Sequence, residues 1–371
     1  MSSRLLFAGT EFGLFVSLDG GDHWMPWRNG IPAVPVRAIM VHPRDHDLVI
    51  GTHGRAAFIL VDIRPLRELS VTPALADSPL HLFPPPPAYQ VEIAERIGYR
   101  STGHAMFFGE NRPQGALLSA WIGEDAAGSP ATVRILDGDG EDVRTFQEAV
   151  EPGLNRFTWD LRMDAPSQGG GSYGPRGALV LPGRYTIRVE AAGSAAEASL
   201  TVLPDPRSDI PEARRLAKIQ ALQEAGEWLA LSQEAAERLG DALEGVEVVL
   251  NRLEKEDTPD TALVDAGRTL RETLKAAQER LFTGPECQGI CGGETVAGPI
   301  RQPLSLLGSS VDAPSPNDRL AMDRASEALD RVLSEVNEIL SGPVAEFNRT
   351  LQEAGYTPLA LKAPLTRIGR R

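Results

Sequence analysis

Cysteine is almost absent from this chain: Cys287 and Cys291 are the two in 371 residues. That excludes a disulfide-stapled scaffold and a zinc site of four cysteines drawn from this chain alone. Histidine is scarce as well, with six residues. A surplus of positive charge is also missing, since the net charge is −14, and the chain shows no basic patch of the kind that tracks nucleic-acid phosphates. No run reaches the length of about 18 apolar residues that a membrane span needs. The start, "MSSRLLFAGTEFGLF", reads as a strand entering a turn, without the charged start, apolar core and small-residue cleavage site of a secretory leader. Nucleotide-binding glycine loops with a following helix and serine-nucleophile elbows are lacking too; "GGGSYGPRG" has no helix pattern behind it.

The chain does have a repeat. "LFAGTEFGLFVSLD" and "VIGTHGRAAFILVD" align when Gly9-Thr10 is laid on Gly51-Thr52, 42 residues on, with one residue inserted in the second copy. Each copy predicts strand, tight turn, strand, and "VRAIMV" supplies a strand between them. The period suits a β-propeller blade of about 40–45 residues. Behind the first copy, "SLDGGDHWMPW" has the form of an aspartate-box turn: Ser17, Asp19, Gly20, Gly21 and Trp24. Here Asp19 is expected to accept hydrogen bonds from its own turn, the glycines to adopt unusual backbone angles, and Trp24 to pack between strands.

Next comes "LHLFPPPPAYQ", whose four prolines predict a stiff extended connection over 67–110. Short alternating runs follow over 111–204, among them "ALLSAWI", "ATVRIL", "NRFTWDL" and "GRYTIRVEA". They predict an antiparallel sandwich of immunoglobulin-like type. From 205 to 371 the period changes to about 3.5. Leu239, Leu243, Val246, Leu250 and Leu253 form a seam on one helix, with Pro211 near its start and Asp209 as a candidate cap. A second helix is expected from about Asp260 to Leu281. A third carries Leu329, Val332, Val336 and Ile339, and a short fourth holds Phe347 and Leu351. An antiparallel helical bundle is the economical arrangement. The fold class is thus multidomain β plus α: a partial β-propeller of one to two last blades over 1–66, the connection, the sandwich and the helical domain.

"AGTEFGLFVSLDGGDHW", "NGIPAVPVRAIMVHPRDHDLVIGTHGR", "GLNRFTWDLR", "LPGRYTIRV" and "TVLPDPR" together resemble the C-terminal part of large bacterial sortilin-like or glycosyl-hydrolase-like proteins with bacterial neuraminidase repeats. The resemblance implies a long propeller whose other blades precede Met1 or lie on a partner chain, and a parent that is exported to the periplasm or cell exterior. The chain departs from it at Ala56-Ala57, where a bulkier pair is expected.

Candidate sites compete with plainer readings. His42 and His46 stand among carboxylates and could be metal ligands, but "HPRDHDLVIGT" also reads as an inter-strand turn, and in a loop their spacing sets no common face. Asp137, Asp139, Glu141 and Glu148 match positions 1, 3, 5 and 12 of a calcium loop, yet Asp142 stands where such a loop needs glycine, and Asp139-Gly140 favours a hairpin. Cys287 and Cys291 read equally as a bonded pair or as two free thiols. No catalytic set is complete, because a glycosidase needs paired carboxylates or a tyrosine with arginines gathered from several blades. The expectation is a non-catalytic module without cofactor, binding protein or glycan and no nucleic acid. The alternative is an accessory part of a sialidase-like or glucanase-like hydrolase whose catalytic residues lie before Met1.

Overall fold

A computed structural model describes residues 4–91, 112–124, 129–165, 177–255, 260–284 and 295–367. The chain is mixed β plus α, with several sheets followed by a helical region, and it divides into two compact units: Met1–Arg162 with Pro182–Asp209, and Met163–Leu181 with Ile210–Arg371. Cys287, Cys291 and most of "GGGSYGPRG" lie outside the described residues.

In the first unit, β1 (Leu6–Thr10), β2 (Gly13–Ser17) and β3 (Met25–Trp27) form one antiparallel sheet, and β4 (Val36–Val41), β5 (Leu48–Thr52) and β6 (Ala57–Leu60) form another. The repeat is real in three dimensions. Hairpin β1-β2 corresponds to β5-β6, and each turn is tied by the last threonine of its first strand: Thr10 Oγ1 donates to Gly13 O at 3.0 Å and Thr52 Oγ1 to Ala56 O at 2.7 Å. The inserted residue is absorbed at Ala56, which takes the left-handed conformation at φ 56°. Leu14, Val36, Leu48 and Ile50 bury a shared core between the two sheets, completed by Ile63 and Leu66.

The stretch expected to be a plain connection is folded. Arg64–Val71 is helix α1, and β7 (Leu80–Leu82) and β8 (Ala88–Tyr89) follow it. Phe83 and Ala88 are buried. Beyond them come β9 (Ala116–Ile122), β10 (Ala131–Leu136), β11 (Asp142–Glu148), β12 (Gly153–Trp159), β13 (Gly183–Ala191) and β14 (Ser194–Leu203). Their two sheets run β11-β10-β13-β14-β8 and β12-β9-β7. The four prolines carry the chain from the edge strand of one to the edge strand of the other, where their missing N–H groups cost no ladder bond. Trp159 of β12 meets Tyr185 of β13 edge to face at 5.5 Å, and both are buried between the sheets.

The second unit is helical. Helix α2 (Glu212–Leu253) has Pro211 at its N-cap, and no side chain caps it, so Asp209 does not serve that role. Its buried stripe runs through Ala235, Leu239, Ala242, Val246, Leu250 and Leu253, with Leu243 only partly covered. Helix α3 (Thr261–Gln278) is capped by Asp260, whose carboxylate accepts from Ala262 N at 3.0 Å and Leu263 N at 3.2 Å, and it ends in a π turn, Glu279–Thr283. The expected long loop before the third helix contains the short 3-10 turn Gly298–Arg301 and α4 (Gln302–Leu307), which bury Ile300 and Leu307. Helix α5 (Pro316–Ile339) starts on a capping box of Ser315 and Asp318. A π turn, Leu340–Val344, joins it to α6 (Ala345–Glu353) and houses Pro343, so the expected third and fourth helices are one broken rod. Leu329, Val332 and Val336 of α5 share one core with the α2 stripe.

Candidate functional site

The turn after β2 is built on Ser17, which is fully buried at the strand end. Its hydroxyl donates to Asp19 Oδ1 at 2.7 Å and accepts the Gly21 N–H at 2.9 Å. Asp19 Oδ1 also accepts the His23 N–H at 3.0 Å, and Oδ2 meets His23 Nδ1 at 2.6 Å. Gly20 and Gly21 lie at φ 90° and 108°, which L side chains rarely adopt, and Gly20 N closes the turn on Arg4 O at 2.8 Å. The His23 N–H above all, then the Ser17 hydroxyl and the His23 ring, hold the Asp19 carboxyl well below the usual carboxylate range. Both carboxylate oxygens of Asp19 are thus engaged by its own turn. Trp24, expected between strands, is instead 42% exposed.

After β6 the chain passes through Asp62 and Ile63 into α1, with an aspartate at the position that matches Asp19. Shifting by 43 residues, past the insertion, lays Asp62 on Asp19, and Asp62 Oδ1 likewise accepts a following backbone N–H, that of Arg64, at 3.2 Å. Here the carboxylate is buried and paired with Arg64 Nε at 2.6 Å. Asp62 N donates to Asp47 Oδ1 at 2.8 Å. Arg156 of β12 reaches this stretch, donating Nη1 to Val61 O and Nη2 to Asp62 O, the latter at 2.7 Å. Burial lowers the affinity of the Arg156 guanidinium for its proton, and Asp62 and Asp47 oppose that. Sequence reasoning missed this knot. Asp62 was discoverable from the repeat; Arg156, 94 positions away, carried no local signal.

His42 and His46 belong to the β4-β5 turn. His42 Nδ1 accepts the Asp45 N–H at 3.2 Å, His46 N donates to His42 O at 3.0 Å, and His46 takes φ 57°. The His46 ring is turned to Arg67, 3.4 Å away. Asp137 Oδ1 accepts from both Asp139 N and Glu141 N at 3.0 Å, and Gly140 at φ 86° completes a hairpin between β10 and β11. Asp139 shares the loop but adds no ligand geometry. Among the described residues, no three His, Cys, Asp or Glu side chains gather where they could hold a metal ion. No described helix is long and apolar enough to cross a membrane.

The β4-β5-β6 sheet has a second distinctive feature. In register, Met40, Val49 and Ile59 form one cross-strand row and Ala38, Gly51 and Ala57 the next. Apart from Arg37, exposed in the bulge at its end, this face is apolar, and Met40 and Ile59 are 58% and 60% exposed. The opposite face, with Ile39, Leu48, Ile50 and Phe58, lies in the core. A half-buried sheet ordinarily alternates apolar with polar. Compared with protein-family models, curated proteins and solved structures, the chain matches none.

Proposed function

We propose that this chain is a non-catalytic binding and structural module, in which β1–β6 are the final blades of a repeat propeller and β7–β14 an immunoglobulin-like sandwich, followed by a helical domain. The exposed apolar rows of β4-β5-β6, with Met40 and Ile59, carry this reading, because a sheet largely apolar on both sides is built to be covered on both. In this reading the cover is a further sheet of the same repeat, on a longer or a separate chain of an exported protein with a protein or glycan ligand. Hydrogen bonding that ties up Asp19 and Asp62 supports a structural role for both repeats. The double substitution Met40→Glu, Ile59→Lys tests it. In the chain alone these exposed positions tolerate the change with little shift in melting temperature. In a chain extended in frame by further repeats, the same pair lowers the melting temperature of the propeller. Equal tolerance in both contexts overturns the reading. Hydrolysis of sialosides or β-glucan oligosaccharides by the purified chain, abolished by one Asp or Glu substitution, would replace it with the hydrolase alternative.

A further inference from the structure

After α6 the chain runs extended across the helices. Residues 357–367 make no backbone-to-backbone hydrogen bond to the described residues. They are held by side chains of the helices instead. Asn348 of α6 takes Leu359 by both main-chain groups, donating Nδ2 to its carbonyl at 2.9 Å and accepting its N–H at 2.7 Å. Asn337 of α5 does the same to Leu365, at 2.8 and 2.9 Å. Arg238 of α2 donates to Ala363 O.

Four side chains of this strap tie it to the helices, one of them Lys362, which meets Asp241 of α2 at 3.6 Å. Leu359 rests over Gly245, where an added Cβ would stand 2.9 Å from Leu359 Cδ2, and Leu365 is buried. Arg367 stacks over Trp228 at 5.2 Å from the ring centre, and reaches Ser326 Oγ at 3.0 Å and Asp330 Oδ1 at 3.1 Å. Ala360, Leu361, Lys362, Ala363, Pro364 and Thr366 are exposed. A side-chain amide that reads one residue's N–H and C=O together recognises an extended main chain whatever its sequence; sparse anchors then supply the selectivity. Beside Trp228 a cavity of about 540 Å³ opens, bordered by Glu224, Glu227 and Glu234 and equally by Arg238 and Arg367.

We propose that the groove along α2, α5 and α6 is a binding site for an extended peptide of another protein, with leucines six positions apart and a basic residue two positions beyond the second. Leu359–Arg367 occupies it as an internal ligand.

The test uses the full chain carrying Leu365→Ser and Arg367→Ser, which loosen the strap and leave the two asparagines and Trp228 in place. A fluorescent peptide of sequence LALKAPLTR, titrated by anisotropy, binds this variant about ten-fold or more tighter than the wild type, whose groove is filled about nine-tenths of the time or more. A peptide with serine for the second anchoring leucine, or Asn337→Ala added to the variant, abolishes the gain. A folded variant that treats LALKAPLTR and its scrambled form alike overturns the proposal. So does a variant whose helical circular dichroism collapses, since the strap is then part of the helical core. A second arm places a protease site at Thr357-Pro358. The cut chain, still helical, exchanges its strap for the labelled peptide; retention of the strap without exchange, loss of helicity, or a strap-swapped dimer in place of peptide uptake each overturns the proposal.

Discussion

Gly115 shows how one atom can decide a local fold. It sits at φ 119°, and a Cβ there would stand 2.1 Å from the Trp159 carbonyl oxygen. Because the obstacle is backbone, nothing flexible can give way, and Gly115→Ala is expected to cost roughly 3 kcal/mol in chemical denaturation. Lys218 presents the opposite case, an ill-suited residue. It is buried, and its Nζ has no hydrogen-bond partner among the described residues. Burial pushes its pKa below 10.5, against the pull of Asp318 and Asp312. Between the lowered folded value and 10.5 the unfolded chain binds more protons, so stability rises with pH through that window. Lys218→Met therefore raises the melting temperature at pH 7 and flattens its climb toward alkaline pH. Asp19 has the other sign: its contribution is present above the ordinary aspartate value of 3.8 and fades as pH falls below it toward the depressed folded value. Asp19→Asn should reduce the acid sensitivity of the β2-β3 turn, read from amide exchange at His23 between pH 5 and 2.5. Asp19 was legible because its partners lie within four residues; the Arg156 knot was not, because tertiary packing alone brings β12 to Val61.

Elements with strong periodicity declared themselves in the sequence. The stripe on α2 and its match on α5 follow from spacing, and the structure closes them within one chain. What spacing could not show was the use of small residues, since Ala235 and Ala242 hold buried positions while Leu243 lies at the flank. Nor could it show that Pro343 is accommodated in a π turn instead of ending the rod. The prolines at 84–87 misled for a physical reason: a proline run is equally compatible with a free spacer and with a crossing between two sheet edges, and only the burial of Phe83 and Ala88 separates them. On the α2-α3 interface, Gly267 lets Leu250 approach closely, for an added Cβ would lie 2.7 Å from Leu250 Cδ2 and 3.2 Å from Phe347 Cζ. Leu250→Ala should cost about 2–5 kcal/mol by leaving a cavity. Gly267→Ala alone overpacks the same spot. In combination, the new methyl enters the space the leucine vacates, so the double variant is more stable than the sum of the single effects by about 0.5–3 kcal/mol, measurable by urea unfolding of all four proteins.

At the scale of the molecule, two compact units with separate cores imply two cooperative transitions. The first unit depends on buried β contacts that are far apart in sequence, such as the Trp159 and Tyr185 contact, and the second on helix stripes that are mostly local. Core substitutions confined to one unit then act as labels. Gly115→Ala should move only the transition followed by near-ultraviolet signal from the β cores, and Leu250→Ala only the one followed by helical signal at 222 nm. Calorimetry of the wild type should resolve two heat-absorption components whose midpoints shift independently in the two variants. Each midpoint should also stay fixed as protein concentration is raised, since both cores close within one chain. If Leu250→Ala lowers both midpoints together, the units unfold as one cooperative body. If a midpoint climbs with concentration, the corresponding core is completed between chains, and the internal closure of α2 against α5 is wrong.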